Sequence, residues 1–277
     1  MPDLRDLEIG AMFWMVRDTV HKMKVLGFHC GQLGVAGDVS LDDDAAAQWK
    51  EELRKEDFEL VTVFAAYVGE SYADIPTVQQ TVGFIPPATR EVREARTIEL
   101  SDFAAALGVK SIACHIGFVP DDDKHPDYLA VRGMVRRICD HAAKHGQTFA
   151  LETGQEPANT LMHFLKDTGR DNLGINFDPA NMILYGTGDP IEALGTLASK
   201  VISVHAKDGD WPPTDVPGAL GTEKPLGLGS VNMERFMAKL KEIGYRGTVN
   251  IEREIEDIEL RYADMAMGRD LLERLRG

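Results

Sequence analysis

Four side chains that can bind a metal ion stand where four predicted strands end: Glu152, Asp178, His205 and Glu252. Together they offer three carboxylates and one imidazole. This oxygen-rich mixture suits Mn²⁺, Mg²⁺ or Co²⁺ with open coordination positions, and it is less typical of a closed structural zinc site. Carboxylates gathered on one narrow ring repel one another, and a bound cation removes that cost. The pattern therefore predicts a metal centre that can also accept a substrate.

The residues that precede these strand ends indicate that the four side chains point into one common interior. Side chains alternate between the two faces of a strand, so the preceding residues should face outward. All four are apolar: Leu151, Phe177, Val204 and Ile251. One step further back, where side chains should point inward again, the residues are small or polar: Ala150, Asn176, Ser203 and Asn250. The alternative is a rim of solvated acids around a buried histidine.

Short apolar runs alternate with longer amphipathic ones along the whole chain, which is typical of parallel strands covered by helices. Eight strands are predicted: Glu8–Phe13, Phe28–Leu33, Leu60–Ala65, Ser111–His115, Thr148–Glu152, Leu173–Asp178, Val201–His205 and Thr248–Glu252. Eight helices are predicted: Asp18–Leu26, Asp42–Asp57, Thr89–Leu107, Tyr128–His145, Ala158–Thr168, Asp189–Leu197, Asn232–Ile243 and Ile258–Leu275. The fold class is therefore α/β, a (β/α)8 TIM barrel in which residues 1–277 form a single domain.

Two segments are too long for ordinary loops between a strand and a helix, and they lie at about 66–88 and 207–231. Each is rich in Gly and Pro and follows the carboxyl end of a predicted strand. TIM-barrel enzymes keep their active sites at that end. Both segments should therefore overhang the mouth of the barrel, above the four candidate ligands.

Composition excludes several classes of partner. The chain has 30 Lys and Arg against 45 Asp and Glu, a formal net charge of −15, which disfavours nucleic acid and anionic membrane surfaces. No apolar run approaches the roughly 18 residues of a membrane span. Three widely spaced cysteines indicate neither a disulfide framework nor a thiolate zinc site, and a cytoplasmic location fits best. The sequence leaves a homo-oligomer open.

Several short motifs together resemble the sugar phosphate isomerase/epimerase family of xylose isomerase-like TIM barrels, and the resemblance spans nearly the whole chain. The matching motifs are Leu151-Glu152-Thr153, Asn176-Phe177-Asp178-Pro179-Ala180-Asn181, His205-Ala206-Lys207-Asp208, Pro225-Leu226-Gly227 and Ile251-Glu252-Arg253. The resemblance implies one divalent ion, manganese first with magnesium, cobalt or zinc as alternatives. It would be bound by the four residues at the strand ends. The resemblance also implies that Glu152 and Glu252 are the catalytic acid/base pair, facing opposite sides of a small carbohydrate substrate.

Four further residues are candidates for binding the substrate. His115 matches a family histidine that reaches the substrate, with a structural imidazole as the alternative. Asn181 stands where many family members have histidine, which implies a different contact with substrate hydroxyls. Lys207 could steady a substrate oxygen or form a local ion pair with Asp208. Trp14 could form an apolar wall of the pocket or be a buried aromatic residue.

The function expected from these features is metal-dependent isomerisation or epimerisation of a small ketose, keto-sugar or keto-cyclitol. A proton would leave the carbon beside the carbonyl, and the metal would stabilise the resulting enediolate. One alternative is a lyase or dehydratase that uses the same metal and glutamate base but expels a substituent from the enediolate. A non-catalytic sugar-binding barrel is a second alternative, and it would predict the loss of a ligand or glutamate, which is not observed.

Overall fold

Eight parallel strands close into a barrel in the computed structural model, which describes residues 4–277. Their order around the barrel follows the order of the chain, and the first strand pairs with the last. The strands are β1 Ile9–Trp14, β2 Cys30–Val35, β3 Glu59–Ala65, β4 Ser111–His115, β5 Thr148–Glu152, β6 Leu173–Phe177, β7 Val201–Ala206 and β10 Val249–Ile251. The predicted TIM barrel is confirmed, with strand ends shifted by at most two residues.

Helices follow the strands and cover the barrel. They are α1 Thr19–Val25, α2 Asp43–Glu56, α4 Arg90–Ala106, α5 Pro126–Lys144, α6 Ala158–Thr168, α8 Pro190–Leu197, α9 Met233–Glu242 and α10 Ile258–Arg276. Side-chain caps explain where several begin; for example, the Asp42 carboxylate accepts a hydrogen bond from the Ala45 N–H. Within residues 4–277, no helix has the length and apolar character that crossing a membrane requires.

The strands place apolar side chains against the helices and a mixed layer inside the barrel. Leu151, Phe177, Val204 and Ile251 are buried in the large core between strands and helices. A smaller apolar cluster lies apart from it and consists of Met12, Phe64, Ala113 and Ala150. The alternation expected along the strands therefore holds, and it turns every second side chain toward the barrel axis.

The two long segments and the turn after β6 contain additional elements. A short helix, α3 (Ile75–Thr81), lies within the segment after β3. The segment after β7 forms an antiparallel hairpin of β8 (Asp208–Asp210) and β9 (Thr222–Lys224). Another helix, α7 (Pro179–Tyr185), starts directly after β6. All three stand at the carboxyl ends of barrel strands, so they shape the mouth.

Candidate metal and active site

The four predicted ligands meet at the mouth of the barrel. Glu152 ends β5 and His205 lies near the end of β7, whereas Asp178 and Glu252 follow β6 and β10 by one residue. One ligand atom from each residue lies within 4.8 Å of the ligand atoms of the others. The structure thus brings together residues that are far apart in the chain, because neighbouring parallel strands end at the same edge.

His205 is at the centre of the cluster. Its Nδ1 lies 2.9 Å from Oε1 of Glu152 and 3.2 Å from Oε2 of Glu252. Oδ2 of Asp178 is 3.7 Å from the same nitrogen. The imidazole is fully buried, and so are the carboxylates of Glu152 and Asp178. One nitrogen and three carboxylate oxygens therefore converge on a single small volume.

The opposite nitrogen of His205 is held by Gln32 on β2. Nε2 of His205 lies 2.9 Å from Oε1 of Gln32, an atom that only accepts hydrogen bonds. The amide of Gln32 is oriented in turn, because its Nε2 donates to Oδ1 of Asn176 at 3.0 Å. A hydrogen on Nε2 satisfies the contact with Gln32, so Nδ1, which faces the carboxylates of Glu152 and Glu252, is the nitrogen that would bind an ion. Sequence reasoning missed Gln32, although a glutamine within an apolar strand is a signal.

The donor set fits a divalent cation. Oδ2 of Asp178 is buried and has no hydrogen-bond partner, as expected of an oxygen that binds an ion. Burial raises the pKa of Glu152 to about 8, against the opposing effect of His205. Burial would also raise the pKa of Glu252, but His205 and Lys207 hold it well below its usual range. The raised pKa of Glu152 reflects burial first and the neighbouring carboxylates Glu252 and Asp178 second, a cost that a cation would offset.

His115 and Asn181 both contact Glu152. Nε2 of His115 lies 3.0 Å from Oε2 of Glu152, and Nδ2 of Asn181 donates to Oε1 at 3.3 Å. Burial lowers the pKa of His115 to about 4. The backbone N–H of Asn181 donates to Oδ1 of Asp178, which caps α7 and fixes the position of that carboxylate. Both candidate substrate-binding residues thus adjoin the cluster.

Lys207 points into the mouth and pairs with acidic residues there. Its Nζ donates to Oε2 of Glu252 at 3.1 Å and also to Glu254, a residue that sequence reasoning missed. The alternative of an ion pair with Asp208 is wrong, because the Nζ of Lys207 is directed at Glu252, Glu254 and Asp178 instead. Asp208 instead accepts hydrogen bonds from backbone N–H groups.

Trp14 occupies the end of β1 and is half-buried. It lines a pocket together with Glu252 and Glu254, beside apolar residues of α1 and α10. On another side of the cluster, the rings of Tyr72 and Phe64 lie 5.5 and 5.7 Å from that of His115. The mouth thus combines apolar walls with a polar centre, the usual composition of a small-molecule site.

Comparison with known proteins identifies the family. The sequence model of the family described as xylose isomerase-like TIM barrel matches residues 20–275. The chain therefore belongs to this family. A crystal structure of a xylose isomerase domain protein from Planctomyces limnophilus is similar, with 41% identity and a TM-score of 0.92, over 98% of this chain and 97% of that chain.

Two further proteins match at lower sequence identity. A xylose isomerase-like TIM barrel protein from Mycobacterium smegmatis, solved in complex with magnesium, is 18% identical with a TM-score of 0.71, over 100% of this chain and 98% of that chain. Inosose isomerase from Bacillus velezensis is 29% identical over 128 residues, 43% of this chain and 44% of that protein. The chain spans less than half the length of the curated relatives that it matches.

Proposed function

We propose that this protein is a divalent-metal-dependent isomerase or epimerase of a small, uncharged ketose or keto-cyclitol. The observation that carries the proposal is the pair of glutamates converging on His205 from strands three places apart in the barrel, β5 and β10. Carboxylates arranged in this way can flank a bound substrate from two sides. The name of the relative inosose isomerase supports a keto-cyclitol among the candidate substrates.

Glu152, Asp178, His205 and Glu252 would hold the ion, with manganese as the first candidate. When bound, the ion would supply Lewis-acid polarisation of a substrate carbonyl and an adjacent hydroxyl. Glu152, which the bound ion would keep ionised, would remove the proton from the carbon beside the carbonyl. Glu252, after taking up a proton from water, would deliver it to the opposite face for epimerisation, or to the neighbouring carbon for isomerisation.

Other side chains of the mouth would position these groups. His115 and Asn181 would hold Glu152 in its orientation and contact substrate hydroxyls. Lys207 would orient Glu252 through their 3.1 Å contact and would favour the ionised form of this carboxylate after each proton transfer. Trp14 would cover one apolar side of the substrate and help to exclude water.

The charges around the cluster favour an uncharged substrate over a phosphorylated one. Phosphate binding needs a cation or a helix N-terminus that is free to receive the anion. Lys207 is already engaged by Glu252 and Glu254. Arg253 pairs with Glu223 at 2.8 Å and with Asp264 at 2.8 Å, so it is engaged as well.

A substrate panel tests the proposal. The protein supplied with Mn²⁺ is incubated with ketohexoses, inososes and the 6-phosphates of the same ketohexoses, and products are identified by NMR. We expect an isomer or epimer of an uncharged substrate and much slower turnover of its phosphate. An unsaturated product with loss of a substituent would establish a lyase instead. A preference for the phosphate would overturn the proposed substrate class.

A further inference from the structure

A second group of metal-ligating side chains lies on the outer surface of the barrel. It consists of Asp102 on α4 and two residues at the carboxyl end of α5, His141 and His145. Nε2 of His141 lies 2.7 Å from Oδ1 of Asp102, and Nε2 of His145 lies 2.8 Å from the same oxygen. One ligand atom from each residue lies within 4.8 Å of the others.

Spacing and exposure make this group accessible to an ion from solvent. Residues four apart on a helix share one face, and two histidines at that spacing are a known arrangement for binding Zn²⁺. The side chains of His141 and His145 are 20% and 33% exposed, and that of Asp102 is 55% exposed. A tetrahedral ion requires ligand atoms about 3.3 Å apart, so small side-chain rotations suffice to admit one.

We propose that Asp102, His141 and His145 form a second metal site, selective for a borderline transition-metal ion such as Zn²⁺ or Ni²⁺. Two imidazole nitrogens and one carboxylate oxygen favour such ions over Mg²⁺ and Mn²⁺, which prefer oxygen ligands. The four-residue cluster at the mouth of the barrel has more oxygen than nitrogen ligands, with three carboxylates and one imidazole. The two sites therefore differ in the class of ion that each prefers.

The position of the second site makes its role structural. The carboxyl ends of α4 and α5 lie next to the amino ends of the strands that follow them, at the face of the barrel opposite the mouth. A hydrogen bond already joins the segments that follow α4 and α5, because Nζ of Lys110 donates to the carbonyl oxygen of His145 at 2.9 Å. An ion shared by Asp102 and the two histidines would join α4 to α5 and stabilise the native state by mass action.

Two measurements test the proposal. The first is the retention of the untagged chain on immobilised Ni²⁺. The second is the Zn²⁺ content of protein that is loaded with Mn²⁺ and then equilibrated with Zn²⁺. We expect the wild type to be retained and to bind one more Zn²⁺ than His141→Gln. His145→Gln provides a second variant, and unfolding curves in EDTA show whether each variant is folded. The matched control is His163→Gln, since His163 is a surface histidine 3.5 Å from a single carboxylate, Asp123.

The control should behave as the wild type does, whereas His141→Gln and His145→Gln should both lose retention and the additional Zn²⁺. Zinc should also raise the thermal midpoint of the wild type and of His163→Gln more than that of either variant. Equal retention and equal Zn²⁺ content in wild type and His141→Gln would overturn the proposal. Failure of the wild type to bind Zn²⁺ outside the mouth would overturn it too.

Discussion

The orientation of His205 depends on Gln32, whose Oε1 lies 2.9 Å from Nε2 of the imidazole. We expect Gln32→Met to lower metal affinity about 10- to 100-fold, because groups that orient a metal-binding histidine contribute this much. Titration with Mn²⁺ measures the effect. Gln147→Met is the matched control, since Gln147 is also buried but contacts Ser101 and Val109 away from the mouth. Equal losses of affinity in both variants would contradict the assignment of Gln32.

Asn181 contacts Glu152 through its side chain and Asp178 through its backbone. Asn181→Ala removes the first contact and keeps the second. We therefore expect a raised KM or a lowered kcat with unchanged metal stoichiometry, as measured by kinetics and elemental analysis. Loss of the metal from this variant would show that Asn181 is itself a ligand.

At the scale of elements, Asp208 organises the segment after β7. Its carboxylate accepts hydrogen bonds from four backbone N–H groups: those of Gly209, Gly227, Gly229 and Val231. We expect Asp208→Ala to lower the free energy of unfolding by about 3 kcal/mol or more, because each buried donor left unpaired costs roughly 1–3 kcal/mol. Denaturant unfolding measures the change.

Asp210 provides the control for that prediction. It lies on the same hairpin, but its side chain is 47% exposed and 3.5 Å from Lys224. Exposed pairs of this kind contribute less than about 1 kcal/mol, so Asp210→Ala should have a small effect. Similar losses of stability in the two variants would show that the buried hydrogen bonds of Asp208 do not stabilise the segment after β7.

Glu156 links the segments that follow β4 and β5, because its Oε1 accepts the N–H of Val119 at 2.9 Å. Its other oxygen is buried without a partner, and burial raises the pKa of this carboxyl from the ordinary 4.5 to about 8. Between these values Glu156 binds more protons in the native state than in the unfolded state, so its contribution to stability is greatest below pH 4.5 and falls as the pH rises to about 8.

The stability of wild type relative to Glu156→Gln should therefore fall by about 1.4 kcal/mol per pH unit over that window. The amide of the variant has the same shape and cannot ionise. Unfolding curves of both proteins from pH 5 to pH 8 measure the difference. A difference that stays constant with pH would mean that Glu156 titrates normally.

The sequence predicts some elements of the fold more accurately than others. The strands carrying Glu152 and His115 were predicted to the residue, because their apolar runs are short and bounded by clear turns. The hairpin of β8 and β9 was not predicted, since its strands are only three residues long. The segment is held by hydrogen bonds to the buried carboxylate of Asp208, and these leave no periodic pattern in the sequence. Gln32 was missed because its partner His205 lies 173 residues away in the chain, beyond any local pattern.

At the scale of the whole molecule, barrel closure creates the site. Strands β5, β6, β7 and β10 lie next to one another in the closed sheet, so residues from the second half of the chain meet above it. The chain carries a net charge of −15, and three of its carboxylates are concentrated at this point. We propose that Glu152 and Glu252 move the proton of the substrate there.

Deuterium exchange followed by NMR in D₂O tests these roles of the two glutamates. Wild type supplied with Mn²⁺ and a substrate should incorporate deuterium at the carbon next to the carbonyl as product forms. We expect Glu152→Gln and Glu252→Gln each to slow product formation by about 10²- to 10⁴-fold, and one of them should still exchange the proton. If either variant retained more than about a tenth of the activity, another group would be the base, which would contradict the account.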